Sequence, residues 1–304
     1  MSSGLIKMKP IKKSRIDVAF DLLNGTILTT MLVCVLYPLY FVLIASISSP
    51  EGIYMNQVWF LPYDVSLDGY ARIFRDENIW NSYANSVFYT IFGTMVNLVT
   101  TLPAGYALSH KDLAGRGFFM TLFLITMFFS GCLIPTYLLV ANLQLMNKRI
   151  VLLLINALSV YNLIISRTFF STTIPDELLD AGRIDGCNNL HFFARIVLPL
   201  SRPIIVVMCL FYGEMHWNSF FDALLYLRKF DLYPLQIILR NILTLNESSM
   251  LTSVDDIESV ILQQKIIEQV KYGLFLVSSI PLVLLYLPLQ RYFEKGVMIG
   301  ALKG

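Results

Sequence analysis

Residues 173–203 read TIPDELLDAGRIDGCNNLHFFARIVLPLSRP. The stretch is charged, carries a glycine at its centre and interrupts an otherwise apolar chain. Thr173 suits a helix N-cap, with Asp176 three residues on as a variant capping box and Pro175 in the first turn. Asp176 and Glu177 also complement the positive end of the helix dipole. The first helix is expected to reach Asp185, and Gly186 then permits a turn that other residues resist. Asn188 or Asn189 can cap a second helix, LHFFARIVL, which Pro199 ends. The expected product is helix, turn, helix, exposing Leu178, Leu179, Phe192 and Phe193 beside Asp180, Arg183, Asp185 and Arg195. An apolar knob rimmed with charge suits a docking surface. It suits equally an amphipathic segment lying on lipid headgroups, and the residues alone leave both readings open.

The sequence on either side is that of a membrane protein. Hydrophobic residues make up 56% of 304 and charged residues 14%, against about 25% charged in a soluble domain. A net charge of +2 gives no footprint for nucleic acid. Six stretches reach the roughly 20 apolar residues a bilayer requires: 22–49, 85–109, 117–142, 149–170, 203–226 and 272–290. The fold class expected is therefore an all-α integral membrane bundle of six helices. Residues 1–21 form a cytoplasmic N-terminal segment and 22–304 the membrane domain, with the helix-turn-helix at 173–199 between helices 4 and 5. The first run is too long for the core of a cleavable signal. Cys34, Cys132, Cys187 and Cys209 lack metal-ligand spacing and read as reduced, buried thiols.

Orientation follows from Lys and Arg. With the N-terminus inside, fourteen of the 23 fall on cytoplasmic segments, five of them before residue 16. Both termini and the 173–199 segment are then cytoplasmic. Lys148 and Arg149 run against this rule in a short outer turn. The long outer loop, 227–271, contains a candidate amphipathic helix, DDIESVILQQKIIEQVKYG (255–273), whose Ile257, Val260, Ile261, Ile267 and Val270 approximate one stripe. Packing on the bundle is its default reading.

Within 173–203, Asp180-Ala181-Gly182, then Arg183-Ile184-Asp185, Gly186, and Ile196-Val197-Leu198-Pro199 resemble the Glu-Ala-Ala…Gly…Ile-x-Leu-Pro motif of permease subunits in ATP-binding cassette (ABC) importers. The gap from Gly186 to Pro199 matches. Asp180 stands where the family has Glu, one methylene longer, and Gly182 where it has a second Ala. The tail QRYFEKGVMIGALKG and the stretch HWNSFFDALLYL are similar to the sugar-importer branch, in particular the second permease of maltose-type and pectin-oligosaccharide-type systems. The resemblance implies a bacterial cell (plasma/inner) membrane protein forming half of a translocation pore for carbohydrates, chiefly oligosaccharides. It implies three partners: a homologous permease, an ATPase dimer and an extracytoplasmic solute-binding protein that loop 227–271 is placed to touch. Asp180, Ala181, Gly182, Arg183, Asp185, Gly186, Leu198 and Pro199 would couple to the ATPase, and the C-terminal tail would lie near that interface.

The chain has no Gly-Lys pair and so no phosphate loop of the usual form; ATP and Mg²⁺ would be used by the ATPase partner, and no cofactor, metal or catalytic residue is expected here. Enzyme motifs are missing, and Glu214 and His216, two apart, point to different faces of a helix. Glu214, Trp217, Asn218, Phe221 and Asp222 fall at i, i+3, i+4, i+7, i+8 and would share a face. An aromatic plate beside amide and carboxylate groups suits a sugar ring; contacts to neighbouring helices explain the same residues. Asn156, Ser159 and Tyr161 are candidates for the pathway, or for interhelical hydrogen bonds. No Lys or Arg lies deep in a span, which favours a neutral or weakly charged saccharide. The alternatives are an ABC importer for a non-sugar solute, such as amino acids, polyamines or phosphate, and an ATP-independent secondary transporter. The latter is disfavoured because no paired broken helices are visible in the sequence.

Overall fold

A computed structural model describes residues 14–129, 131–248 and 257–301. The basic cluster before Ser14 and the last three residues lie outside the described residues. The described chain is helical throughout. Helix α1 (Arg15–Ser46) starts at a capping box in which the Ser14 amide donates to Asp17 Oδ2 at 2.9 Å. That cap begins the helix seven residues before the expected 22–49 span. Almost all of α1 is apolar and exposed on this chain, so lipid or another subunit must cover it. Two short helices follow, α2 (Pro50–Tyr54) and α3 (Asp68–Arg75).

Helix α4 (Glu77–Ser109) is the central post. Its buried residues include Ser86, Tyr89, Gly93, Asn97, Thr101 and Gly105, a row at nearly four-residue spacing. Small residues in such a row let helix backbones approach closely. At Gly105 a Cβ would lie 3.0 Å from Ser166 Cβ and 3.2 Å from Arg167 N. Helices α5 (Arg116–Phe128) and α6 (Leu133–Asn142) occupy the expected third span.

Like the third, which is divided between α5 and α6, the fourth and fifth spans are not continuous. The expected 149–170 run divides into α7 (Arg149–Leu154) and α8 (Val160–Thr173). After it come α9 (Asp176–Ile184) and α10 (Asn189–Leu200), the latter with a π-turn over Phe193–Val197. Helix α11 (Arg202–Trp217) leaves α10 at 82°. The expected 203–226 span stops at Trp217, and a separate short helix, α12 (Phe221–Tyr226), completes it.

Within the expected outer loop, Leu235–Ser248 forms α13. The expected surface helix at 255–273 is the start of α14 (Ile257–Ala301), which also contains the last span. Its 45 residues would extend about 67 Å, more than twice the roughly 30 Å hydrocarbon core, so part of it stands clear of the bilayer. Gln269 is 2% exposed and donates to Ser48 O, Ser66 O and Ser66 Oγ, which ties α14 to the segment after α1. Of the expected stripe, Val270 packs on the cluster of Ile73, Ile79, Trp217 and Leu274, while the side chains of Ile257, Val260 and Ile261 lie outside the described residues.

Among the described residues, α1, α4 and Ile267–Gln290 each suffice by length and composition to cross a bilayer, and two bent pairs raise the number to five. All four cysteines are free, but Cys34 and Cys132 are exposed on the chain's surface instead of buried. An apolar span of one subunit has no reason to bury every apolar residue against its own chain. Arg149, the cation that ran against the orientation rule, donates to Asn85 Oδ1 at 2.9 Å and lies over the Phe88 ring.

Candidate functional site

The segment 173–203 forms two short helices joined at Gly186, which takes φ +74°. That left-handed conformation is what glycine supplies without a Cβ penalty. Asn188 caps α10, its Oδ1 accepting from the Leu190 amide at 2.8 Å. Thr173 does not cap α9: it is the last residue of α8, and Pro175 precedes α9 with no side-chain cap. The extended backbone that a residue at Ile174–Pro175 adopts moves the helix start past it. Pro199 does not end the second helix either, which runs to Leu200 and bends at buried Ser201.

The exposed face also differs from expectation. Phe192 is 1% exposed, and Phe193, Leu178 and Leu179 are half-buried. Phe192 and Val197 sit in one apolar cluster with Leu102 and Tyr106 of α4, Phe170 of α8 and Met208 and Tyr212 of α11. The most exposed apolar residues are Ile184 (87% exposed) and Leu190 (78%), one on each side of the Gly186 turn, with Leu200 exposed at the end of α10. Their position beside the turn was the available signal: residues next to a surface bend have the least bundle to pack on. Asp180 and Arg183 form an exposed i,i+3 ion pair at 3.6 Å, and Asp185 is exposed nearby in sequence. Gly182, in contrast, is buried against Phe192. A Cβ there would lie 2.6 Å from Phe192 Cδ2, which accounts physically for glycine at the position where the motif has alanine.

A second set of polar residues gathers where the spans break. Between α7 and α8 the backbone carbonyls lose their helical donors, and α4 replaces them. Asn97 Nδ2 donates to Asn156 O at 2.5 Å, and Thr100 Oγ1 donates to Ala157 O at 2.6 Å. Freed backbone groups inside a membrane must be satisfied in this way. Asn97 Oδ1 is then left to accept from His216 Nε2, 2.6 Å away, which fixes the proton on that ring nitrogen. Asn156 Nδ2 donates to Asp222 Oδ2 at 2.7 Å, joining the break of span 4 to the break of span 5. Ser159 caps α8, and its amide donates to Tyr212 OH at 3.2 Å.

The structure thus brings together Asn156, Ser159 and Asp222 of the expected pathway residues, and adds Asn97, Thr100, Tyr212 and His216. It does not place Glu214, Trp217, Asn218, Phe221 and Asp222 on one helical face, because the helix ends at Trp217. Glu214, Asn218, Phe221 and Tyr161 are exposed on this chain. Trp217 is 3% exposed, donates through Nε1 to Ser278 O at 3.0 Å and meets Tyr83 edge-on. Its ring is therefore a wall and not a free plate. That wall belongs to a cavity of about 450 Å³ lined also by Asn218, Phe220, Gln236, Arg240, Phe275 and Ser278.

A bundle of this kind, with polar residues gathered at its broken spans and a cross-lying pair of short helices anchored in its core, defines the class of multi-pass transport permeases. No family model matches the chain. The polygalacturonan/rhamnogalacturonan transport system permease protein YtcP of Bacillus subtilis (strain 168) is 38% identical over 286 residues, covering 94% of this chain and 98% of its own length. Protein LplC of the same organism is 33% identical, over 94% of this chain and 95% of its own. Among solved structures, a bacterial ABC transporter involved in the import of the acidic polysaccharide alginate has a chain that superposes with a TM-score of 0.84 at 31% identity. The superposition covers 94% of this chain and all of that one. The chain belongs to the family of membrane-embedded permease subunits of ABC importers. Its broken spans remove one ground for setting a stand-alone transporter aside; membership of this family supplies another.

Proposed function

We propose that this chain is one of two homologous permeases of an ABC importer for carbohydrates, chiefly oligosaccharides, and forms half of the translocation pore. It crosses the bacterial cell membrane six times with both termini cytoplasmic, spans 3, 4 and 5 each being divided into two helices. ATP is hydrolysed with Mg²⁺ by a separate ATPase dimer, and solute arrives from an extracytoplasmic binding protein. The chain itself binds no cofactor. The cargoes of the similar proteins, polygalacturonan/rhamnogalacturonan and alginate, support the saccharide reading and point to chains that include uronic acids.

The observation that carries the coupling part is the pair α9 and α10. It presents Ile184, Leu190, Asp180, Arg183 and Asp185 outward while Phe192 and Val197 fix it to the core of α4, α8 and α11. A surface so anchored passes a push from a docked subunit to the spans as a rigid body. Exposed Glu214 adds support for a pore shared with another chain. A carboxylate on a span facing lipid costs about 2.5–3.5 kcal/mol, which a wet path or a partner permease avoids. The test is solute uptake per ATP hydrolysed in the reconstituted importer. Gly186→Pro cannot hold φ +74°, and Asp180→Lys reverses the exposed charge; both should lower uptake while hydrolysis persists. Unchanged coupling in both would remove α9 and α10 from the mechanism.

A further inference from the structure

Three polar side chains converge on the 450 Å³ cavity between α11, α13 and α14 without a partner in the chain. Asn218, Gln236 and Arg240 line it, and none has a side-chain hydrogen bond or ion pair among the described residues. Gln236 and Arg240 are four apart on α13 and so lie on one face. Among the described residues Arg240 is the only charged one in the lining, and no carboxylate is among them there. The other walls are the rings of Trp217, Phe220 and Phe275. Trp217 ends the 16-residue α11, so the cavity lies about 24 Å along that helix from the coupling segment. Asn218 and Arg240 are exposed on this chain and Gln236 is half-buried, so their donors and acceptors are open to a solute that enters the cavity.

We infer that this cavity is a subsite for an acidic sugar residue, with the Arg240 guanidinium receiving its carboxylate. The inference rests on the saccharide reading above and narrows it to uronic-acid cargo. A guanidinium pairs with a planar carboxylate through two parallel N–H donors. Asn218 and Gln236 offer both donors and acceptors to hydroxyls, and the aromatic walls suit the C–H face of a pyranose. The volume falls in the range of small-molecule sites. It accommodates a part of an oligosaccharide and not the whole, which is what a subsite in half of a pore requires. Arg240 lies outside the six apolar runs, in the stretch between the fifth and sixth.

The experiment compares initial uptake of radiolabelled trigalacturonate and of its fully methyl-esterified form by cells carrying the complete importer, with permease levels checked by immunoblot. Arg240→Gln should lower trigalacturonate uptake by about tenfold and leave the neutral ester within about twofold. Arg240→Lys, which keeps the charge, should retain much of the acidic uptake. Equal loss of both sugars, or loss of neither, would show that Arg240 only reaches toward lipid headgroups and would overturn the inference. Wild-type uptake of the ester alone overturns it too, but leaves a saccharide importer standing. Uptake of neither sugar by wild type, at normal expression, sinks the galacturonate cargo and this subsite together.

Discussion

Gly182→Ala puts the motif's alanine back, and the structure predicts that it does harm. The added Cβ would lie 2.6 Å and 2.7 Å from Phe192 Cδ2 and Cε2, where carbon atoms prefer about 3.5–4.0 Å. The ring would have to retreat by about 1 Å. Phe192 is 1% exposed and held among Leu102, Tyr106, Phe170 and Met208, so it cannot swing aside into solvent. Overpacking of this kind costs about 1–3 kcal/mol. Alanine in a helix returns about 1 kcal/mol over glycine. Packing wins, leaving a net loss of about 1 kcal/mol at the junction of α9 with α10. The purified importer should then melt about 2 °C lower, with fewer solutes moved per ATP. Phe192→Leu makes room, so the double variant should recover most of what Gly182→Ala removes beyond the single Phe192→Leu loss, a coupling of about 1 kcal/mol in a double-mutant cycle. A Gly182→Ala importer as stable and as well coupled as wild type would refute the packing account, as would strict additivity with Phe192→Leu.

Two further substitutions test the bundle itself. At Gly93 an added Cβ would overlap the His216 ring, within 2.7 Å of Cδ2; Gly93→Ala should displace His216 from Asn97 and lower the melting temperature more than Gly182→Ala, read by the same thermal scan. Gln269→Leu leaves Ser48 O and Ser66 O without their buried donor, at about 1–3 kcal/mol for the unsatisfied groups. Limited proteolysis of intact cells from outside should then cut faster between α1 and α3, and an unchanged rate would dismiss Gln269 as the tie.

What could be seen in the sequence was whatever depends on near neighbours. Apolar runs located the membrane helices, Gly186 located the turn, and Asn188 located a cap that acts two residues on. What could not be seen depends on residues far away. Residues 149–170 are apolar enough to read as one helix; they break because Asn97 and Thr100, 57–59 residues earlier, supply donors to Asn156 O and Ala157 O. The stripe from Glu214 to Asp222 assumed a helix that in fact ends at Trp217, whose indole is committed to Ser278, 61 residues later. Phe192 looked exposed because its helix is charged, yet the shape of the α4 and α8 surface decides which side turns in. Arg240 sat in a stretch read as loop until α13 folded against α11 and α14.

The two candidate sites share one piece of packing. Tyr212 belongs to the same buried cluster as Phe192 and Val197 of the coupling segment. Its hydroxyl meets Thr101 Oγ1 at 2.7 Å and accepts from the Ser159 amide at the start of α8. Contacts thus run from α10 to the break in span 4 through this buried cluster and the part-buried Ser159 amide. Close-packed interiors transmit displacement instead of absorbing it. The places where displacement can be taken up are the ones without a continuous hydrogen-bond ladder: the bend at Ser201, residues 155–159, and residues 218–220. Asn156 and Asp222 bridge the last two, so the two breaks cannot move independently while that bond holds. A permease that must open alternately to either side needs stiff pieces and few hinges. Here the hinges lie where the polar groups that could meet a passing solute are also found, because the backbone freed at each break draws in Asn, Ser, Thr and Asp side chains to satisfy it.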